Sequence, residues 1–284
     1  MLPIPSHLVN IWARGDYAAH QAWLKAKGLT PSHDPGDAVP RRLDLKGALL
    51  RGRDWSGADF RHAILDNADL RDCTWTGVRL DDASAIQAIV HGANWDNIQA
   101  PRLSALRLDG ANLNAQGANL SGADFSSAHL TGANFRGADL AATTWASTAA
   151  YRVDFRSADL TDAMLYFTNL TGADLRNSTL PIHPPIPVVV DIDASIVKII
   201  DHLPHLLNQN RWREPGVLDN PHNATDRAGW AIRLGGQQGA TLAKVYGPEV
   251  AATLIYALNR PNVPHPDFFT PTTVTVRELR AALS

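Results

Sequence analysis

Asp201, His202 and His205 are a cluster of metal-capable side chains in this 284-residue chain, and imidazole and carboxylate are ordinary Zn2+ ligands. Pro204 breaks the helical spacing that would bring both imidazoles to one face, and no further ligand is placed, so they read as surface histidines. The single cysteine, Cys73, excludes an intramolecular disulfide; two residues before a large apolar side chain, it reads as a buried substitute for alanine rather than a nucleophile. Gly236-Gln237-Gln238-Gly239 matches the short Gly-x-x-Gly of some nucleic-acid clamps, but without a basic flank it reads as a helix stop and loop. There is no phosphate loop, no Gly-x-Ser-x-Gly elbow and no Cys-His pair. No catalytic residue, metal or cofactor is therefore expected, and the chain reads as non-enzymatic.

Most of the sequence serves another purpose. Between Leu45 and Leu180 nearly every fifth residue is apolar and the residue two places earlier is small, as in Ala118-Asn119-Leu120, Ala123-Asp124-Phe125 and Ala138-Asp139-Leu140. A period of five fits neither an amphipathic helix nor a long alternating strand, and fixed-period self-similarity marks a stacked array. In an extended three-residue piece the outer two side chains share one face and the middle one points away. Alanine and the large residue thus face inward, and Asp or Asn faces out. Two turn residues follow, rich in Ser, Thr, Arg and Gly, where glycine accepts positive φ without strain.

These units resemble the pentapeptide-repeat family, and the resemblance covers about half of the chain. It implies an all-β solenoid, a right-handed quadrilateral β-helix with four units per coil. Trp55, Trp75 and Trp95 stand twenty residues apart at the large inward position, which would stack them in one column; Phe135 and Phe155 continue that spacing. With Leu120 and Phe125 they are the expected structural core. Between Trp95 and Leu120 the phase changes: Ile98, Leu103, Leu108 and Leu113 keep five-residue steps among themselves but are out of register with both flanks. Pro101 cannot donate a ladder hydrogen bond, so residues 96–118 read as an irregular segment, a bulge or protruding loop.

The array is expected to span residues 41–180. Residues 1–40 read as a small helical N-terminal cap and linker, with a helix from Asp16 to Lys27 whose contacts would be Trp12 and Trp23. Residues 181–284 read as a Pro-rich linker and a mainly α-helical C-terminal module, with helices at Ser195–Leu207, Asp226–Leu234, Pro248–Leu258 and Val276–Leu283. Every Glu of the chain (Glu214, Glu249, Glu278) lies in that module, whereas the array uses Asp alone. Its Arg227-Ala228-Gly229-Trp230 run resembles a helical module that follows pentapeptide repeats in some phage and bacterial proteins; Thr225-Asp226 replaces a His-Cys pair found there, so no metal or thiol chemistry carries over.

Charge narrows the function. The chain has a formal charge of −2, and residues 41–180 hold fourteen Arg or Lys against sixteen Asp. Neither total provides the positive stripe that nucleic acid or an anionic membrane requires. No run approaches the ~20 apolar residues of a membrane span, and the N-terminus lacks signal-peptide features, so a cytoplasmic location is expected. The preferred reading is a non-enzymatic protein-interaction scaffold or adaptor of unknown partner. Contacts are expected at the irregular segment, marked by Pro101, or at the C-terminal module, marked by Arg227 and Trp230. The resemblance supplies an alternative, a DNA mimic that binds DNA gyrase, for which outward Asp124, Asp139 and Asp159 would form an acidic stripe diluted by arginines. A second alternative is an effector or enzyme activity in the C-terminal module.

Overall fold

The computed structural model describes residues 44–202, 227–264 and 266. From Asp44 to Leu180 one backbone path repeats every five residues: two turn residues, a buried residue, a residue in a single parallel β-bridge, and a second buried residue. Bridges join residues twenty apart, from Asp44–Ile64 to Asp159–Thr179, so four units close one coil and the tube has four sides. Side a carries Trp55, Trp75 and Trp95; sides b, c and d follow in chain order with Phe60, Leu65 and Leu70 as their corresponding inward residues.

Backbone hydrogen bonds explain why five residues suffice. The N–H of the second buried residue donates to the next coil (Leu45 N to Ile64 O, 2.8 Å), and the bridge residue donates back to the preceding one (Asp69 N to Ala48 O, 2.9 Å). The second turn residue also reaches the next coil (Gly47 N to Asp66 O, 2.8 Å), and the first buried residue closes its own turn (Ala48 N to Leu45 O, 2.9 Å). From Gly47 to Asn177 that second turn residue has positive φ in every unit. Asn, Asp and Ser serve there as well as Gly, since their short polar side chains tolerate the left-handed region.

The fifth N–H, on the first turn residue, has no backbone partner in this scheme, and the outward Asp or Asn supplies one. Asp54 Oδ1 accepts from Ser56 N at 2.9 Å, Asp124 from Ser126 N at 2.8 Å and Asn134 from Arg136 N at 3.0 Å. This local side-chain acceptor is an Asx turn, which is why the position favours these two residue types. Asn94, Asn114 and Asn134 add an amide ladder along side a, at 2.9 and 3.0 Å.

The core runs unbroken along the tube. Trp55, Trp75, Trp95, Leu120, Phe125, Phe135 and Phe155 are all buried, as are Phe60 and Trp145. Trp55 stacks on Trp75 at 5.8 Å, Phe135 on Phe155 at 5.9 Å and Phe125 on Trp145 at 4.8 Å. Trp145 joins the rings of sides a and c, meeting Phe135 and Phe155 edge-on at 5.4 and 5.2 Å.

Residues 96–118 are neither a bulge nor a loop. Bridges continue at Asn94, Gln99, Ser104, Asp109, Asn114 and Asn119 without a slip. What changes is the order of sizes within the unit. Ile98, Leu103, Leu108 and Leu113 occupy the normally small inward position, while Ala100, Ala105, Gly110 and Ala115 occupy the normally large one. One complete coil is inverted, and each of its sides still contributes one large and one small group, so the filled volume is conserved. Gly110 shows how tight the exchange is, because a Cβ there would lie 3.0 Å from Leu130 Cδ2 and 3.1 Å from Val90 Cγ2. Pro101 takes a first turn position, the one whose N–H no backbone carbonyl requires, so proline fits the regular path.

Beyond the array lie α1 (Ile192–His202), α2 (Arg227–Leu234), α3 (Gly236–Tyr246) and α4 (Pro248–Asn259). The Gly236–Gly239 segment is the first turn of α3, not a loop. Gly235 and Gly239 let α2 and α3 meet closely: a Cβ on Gly235 would lie 2.6 Å from Pro187 Cγ, and one on Gly239 would run into Ile232 O. The expected Asp16–Lys27 and Val276–Leu283 helices, with Trp12, Trp23 and His205, lie outside the described residues.

α4 lies across the end of the tube. Phe167 N, at the corner between sides c and d of the last coil, donates to Tyr246 O at 3.0 Å; Asn177 N, at the corner between sides a and b, donates to Pro261 O at 3.1 Å. These corners are diagonally opposed, and a twelve-residue helix of about 18 Å spans the distance between them. Val250 through Ala257 are buried on every face, between the last coil and the other helices. The approach to α4 is clamped as well: Asn259 bonds Val189 N at 2.7 Å and Pro187 O at 3.1 Å, and Asp193 accepts from Tyr256 at 3.0 Å and pairs with Arg260.

Candidate interaction surface

Outward carboxylates divide into two groups. In the first, an arginine two residues on folds back over its own Asp: Arg61 on Asp59, Arg71 on Asp69, Arg156 on Asp154 and Arg176 on Asp174, at 2.5–2.6 Å. Arg61 and Arg71 hold Asp59 and Asp69 below the ordinary carboxylate range through these hydrogen bonds. For Asp154 and Asp174 burial pushes the other way, yet the bonds from Arg156 and Arg176 leave both lowered. Arg156 also reaches Asp174 at 3.6 Å, so the two bridged carboxylates of side a are doubly compensated.

Asp139 and Asp159 are bridged in the same way on side b, but Ala141 and Thr161 stand where side a has Arg156 and Arg176. Oδ1 of each accepts a turn N–H, at 3.1 Å from Ala141 and 2.9 Å from Thr161, and neither carboxylate has an ion pair among the described residues. Asp124 on side c and Asp162 at the corner between b and c are likewise without a cation. Like charges directly opposite on paired strands are destabilising, and here they are left uncompensated.

Next to these carboxylates, large apolar side chains face outward. Phe167 is 70% exposed, Met164 39% and Tyr166 37%. Phe167 occupies a second turn position with φ 53°, where a bulky residue is strained. Its ring lies against Gly247, whose own φ of 91° favours glycine, while Tyr166 meets Tyr246 at 5.4 Å between ring centroids. Burial pushes the Tyr246 hydroxyl up to about 12, and that hydroxyl donates to His183 O at 2.7 Å.

Of the sequence candidates, Asp124, Asp139 and Asp159 belong to this region, and Pro101 is a regular corner on the border of sides b and c, three coils earlier. Trp230 is 2% exposed and packs inside the helical module, which removes it as a contact residue; the Arg227 side chain lies outside the described residues. The Cys73 thiol donates to Leu50 O at 3.0 Å, and burial pushes its pKa up. No group of three or more metal-capable side chains occurs among the described residues, and none of the helices described is long and apolar enough to cross a membrane. Asp162, Met164, Tyr166 and Phe167 escaped the sequence reading. For Tyr166 and Phe167 the signal was there, two adjacent aromatics at corner positions.

The fold and its five-residue unit define a four-sided β-solenoid. Eight copies of the pentapeptide-repeat family model match residues 44–74, 63–94, 102–143 and 148–177, so the array is built of pentapeptide repeats. Among solved structures it is similar to a trypsin-treated form of QnrB1, a plasmid-mediated fluoroquinolone resistance protein, at 20% identity over 50% of this chain and 84% of that one, with a TM-score of 0.33. It is also similar to HetL, a pentapeptide repeat protein involved in heterocyst differentiation regulation from the cyanobacterium Nostoc sp. strain PCC 7120, at 19% identity over 59% and 90%, TM-score 0.23. A pentapeptide repeat protein of the Arabidopsis thaliana thylakoid lumen shares 21% identity over 55% and 78%, TM-score 0.15. No curated protein matches the sequence.

Proposed function

We propose that the chain is a non-enzymatic scaffold that binds another protein through the cap-proximal end of its array. The observation that carries this reading is Phe167. An aromatic ring held mostly in solvent, on a strained corner of a rigid tube and flanked by Tyr166 and Met164, has the character of an interface anchor rather than a core residue. Rigid positioning lowers the ordering cost of association. The test is affinity capture from cell extract with the full chain and with Phe167→Ser, since Ser127, Ser147 and Ser157 hold the same backbone conformation elsewhere in the array. Proteins enriched by the wild type and depleted by the variant support the reading; identical sets for both contradict it.

The uncompensated pair Asp139–Asp159 favours a second reading, the DNA-mimic binding of gyrase that the family resemblance implies. Against it, four of the outward carboxylates carry their own arginine, which weakens the continuous negative field that competition with DNA needs. The wild type is expected to have little effect on gyrase supercoiling. Potent, salt-sensitive inhibition that disappears when Asp124, Asp139 and Asp159 are changed to Lys would promote this reading above the first.

A further inference from the structure

We infer that the partner segment is cationic and amphipathic: a short basic stretch carrying an aromatic or aliphatic anchor, docked on sides b and c of the last three coils. The inference rests on the scaffold reading above and names the chemistry of its partner. Two observations made independently of each other meet on this surface. The first is the contrast between sides. The array neutralises Asp154 and Asp174 with Arg156 and Arg176, yet leaves the equivalent pair Asp139 and Asp159 bare, with Ala141 and Thr161 in the arginine positions. The device that removes the repulsion is present one side away and is not used.

The second observation is the apolar cluster. Met164 ends the outward column of side c that runs from Asp44 through Asp124 and Thr144, so Met164 and Asp124 stand two coils, about 10 Å, apart. Asp162 opens that same side in the last coil, and Tyr166 and Phe167 close it. Carboxylates thus rim an apolar centre. Each of Asp124, Asp139 and Asp159 has committed one oxygen to its Asx turn, so its remaining oxygen can accept from a lysine or arginine without loss to the fold. A uniformly basic chain would leave Phe167 and Met164 wet, and an uncharged apolar one would leave four carboxylates desolvated and unpaired; an amphipathic cation satisfies both.

The probe is a fluorescein-labelled twelve-residue peptide of Lys and Leu arranged so that one helical face is apolar, titrated onto the full chain at low and moderate salt. Controls are the same peptide with Ser for Lys, and oligolysine of equal length. The protein variants are Asp124→Asn, Asp139→Asn, Asp159→Asn and Asp162→Asn combined, and Phe167→Ser alone. Asn occupies the outward position in Asn94, Asn114, Asn119 and Asn134, and the second turn position of Asp162 is held by Asn97 and Asn112 elsewhere, so the fold is expected to survive, and far-ultraviolet circular dichroism checks it. The expected result is salt-sensitive binding of the amphipathic peptide, weakened at least tenfold by the four Asn changes and severalfold by Phe167→Ser, with both control peptides weaker by a similar factor. Absence of binding, oligolysine binding as tightly, or affinity unchanged in the Asn variant would overturn the inference. Capture of an extract protein that the Asn variant retains and Phe167→Ser loses would preserve the scaffold reading and refute this partner chemistry.

Discussion

At the scale of single residues, the inverted coil is the clearest test of how the core is filled. Leu108→Ala should cost about 2–5 kcal/mol as a cavity, and Gly110→Leu should be destabilising because its side chain meets Leu130 and Val90. Together they restore the usual order of a small residue followed by a large one. Thermal midpoints should therefore show the double variant less damaged than the sum of the singles by at least about 1 kcal/mol; strict additivity would mean that the two positions do not share one volume. The indoles give a second test. Trp145 Nε1 donates to Thr143 Oγ1 at 2.8 Å, two residues before it, whereas the buried Nε1 of Trp95 has no partner among the described residues and Ala93 stands in the matching place. Ala93→Ser should supply an acceptor and raise stability by about 1 kcal/mol in a denaturant titration; a lower midpoint would show that the indole points elsewhere. The inward alanines were legible in sequence from spacing alone. The inversion was misread because the large residue was taken to define the phase, whereas the backbone is set by turn geometry and bridge spacing, and a volume-conserving exchange leaves both intact.

At the scale of elements, the last coil and α4 explain each other. A bare terminal coil would present unpaired N–H groups, and carbonyls of Tyr246 and Pro261 meet two of them. Gly247→Ala should strain φ 91° and loosen this docking, with faster amide exchange at Phe167 and Asn177 and little change at mid-array amides such as Trp95; uniform exchange would contradict a localised cap. Helices α2 and α4 fall within a residue of the spans expected from sequence, because Pro248 and the apolar run of α4 are strong local signals, while α1 starts three residues earlier than expected and its expected end at Leu207 lies outside the described residues. α3 was missed for a physical reason. The glycines at its start read as breakers, but Gly235 just before it and Gly239 within it are required by close approach to Pro187 and Ile232, which depends on tertiary contacts absent from the local sequence.

At the scale of the whole molecule, charge is compensated unevenly around the four-sided tube. Asp59, Asp69, Asp154 and Asp174 have folded pKa values lowered below the ordinary aspartate value, so their pairs stabilise the fold fully above that ordinary value, and this contribution is lost as pH falls through the lowered ones. Replacing Arg156 and Arg176 by Gln should flatten the acid limb of a stability-versus-pH curve below pH ~4, where the side-a pairs lose their contribution; an unchanged limb would contradict that pairing. The most direct measurement is residue-specific: amide and methionine-methyl NMR shifts of the full chain on titration with the cationic amphipathic peptide. The account predicts perturbations at Asp139, Asp159, Asp162, Met164 and Phe167, with Asn134, Asp154 and Asp174 on side a unmoved. Shifts concentrated on side a, or spread evenly over all four sides, would contradict it.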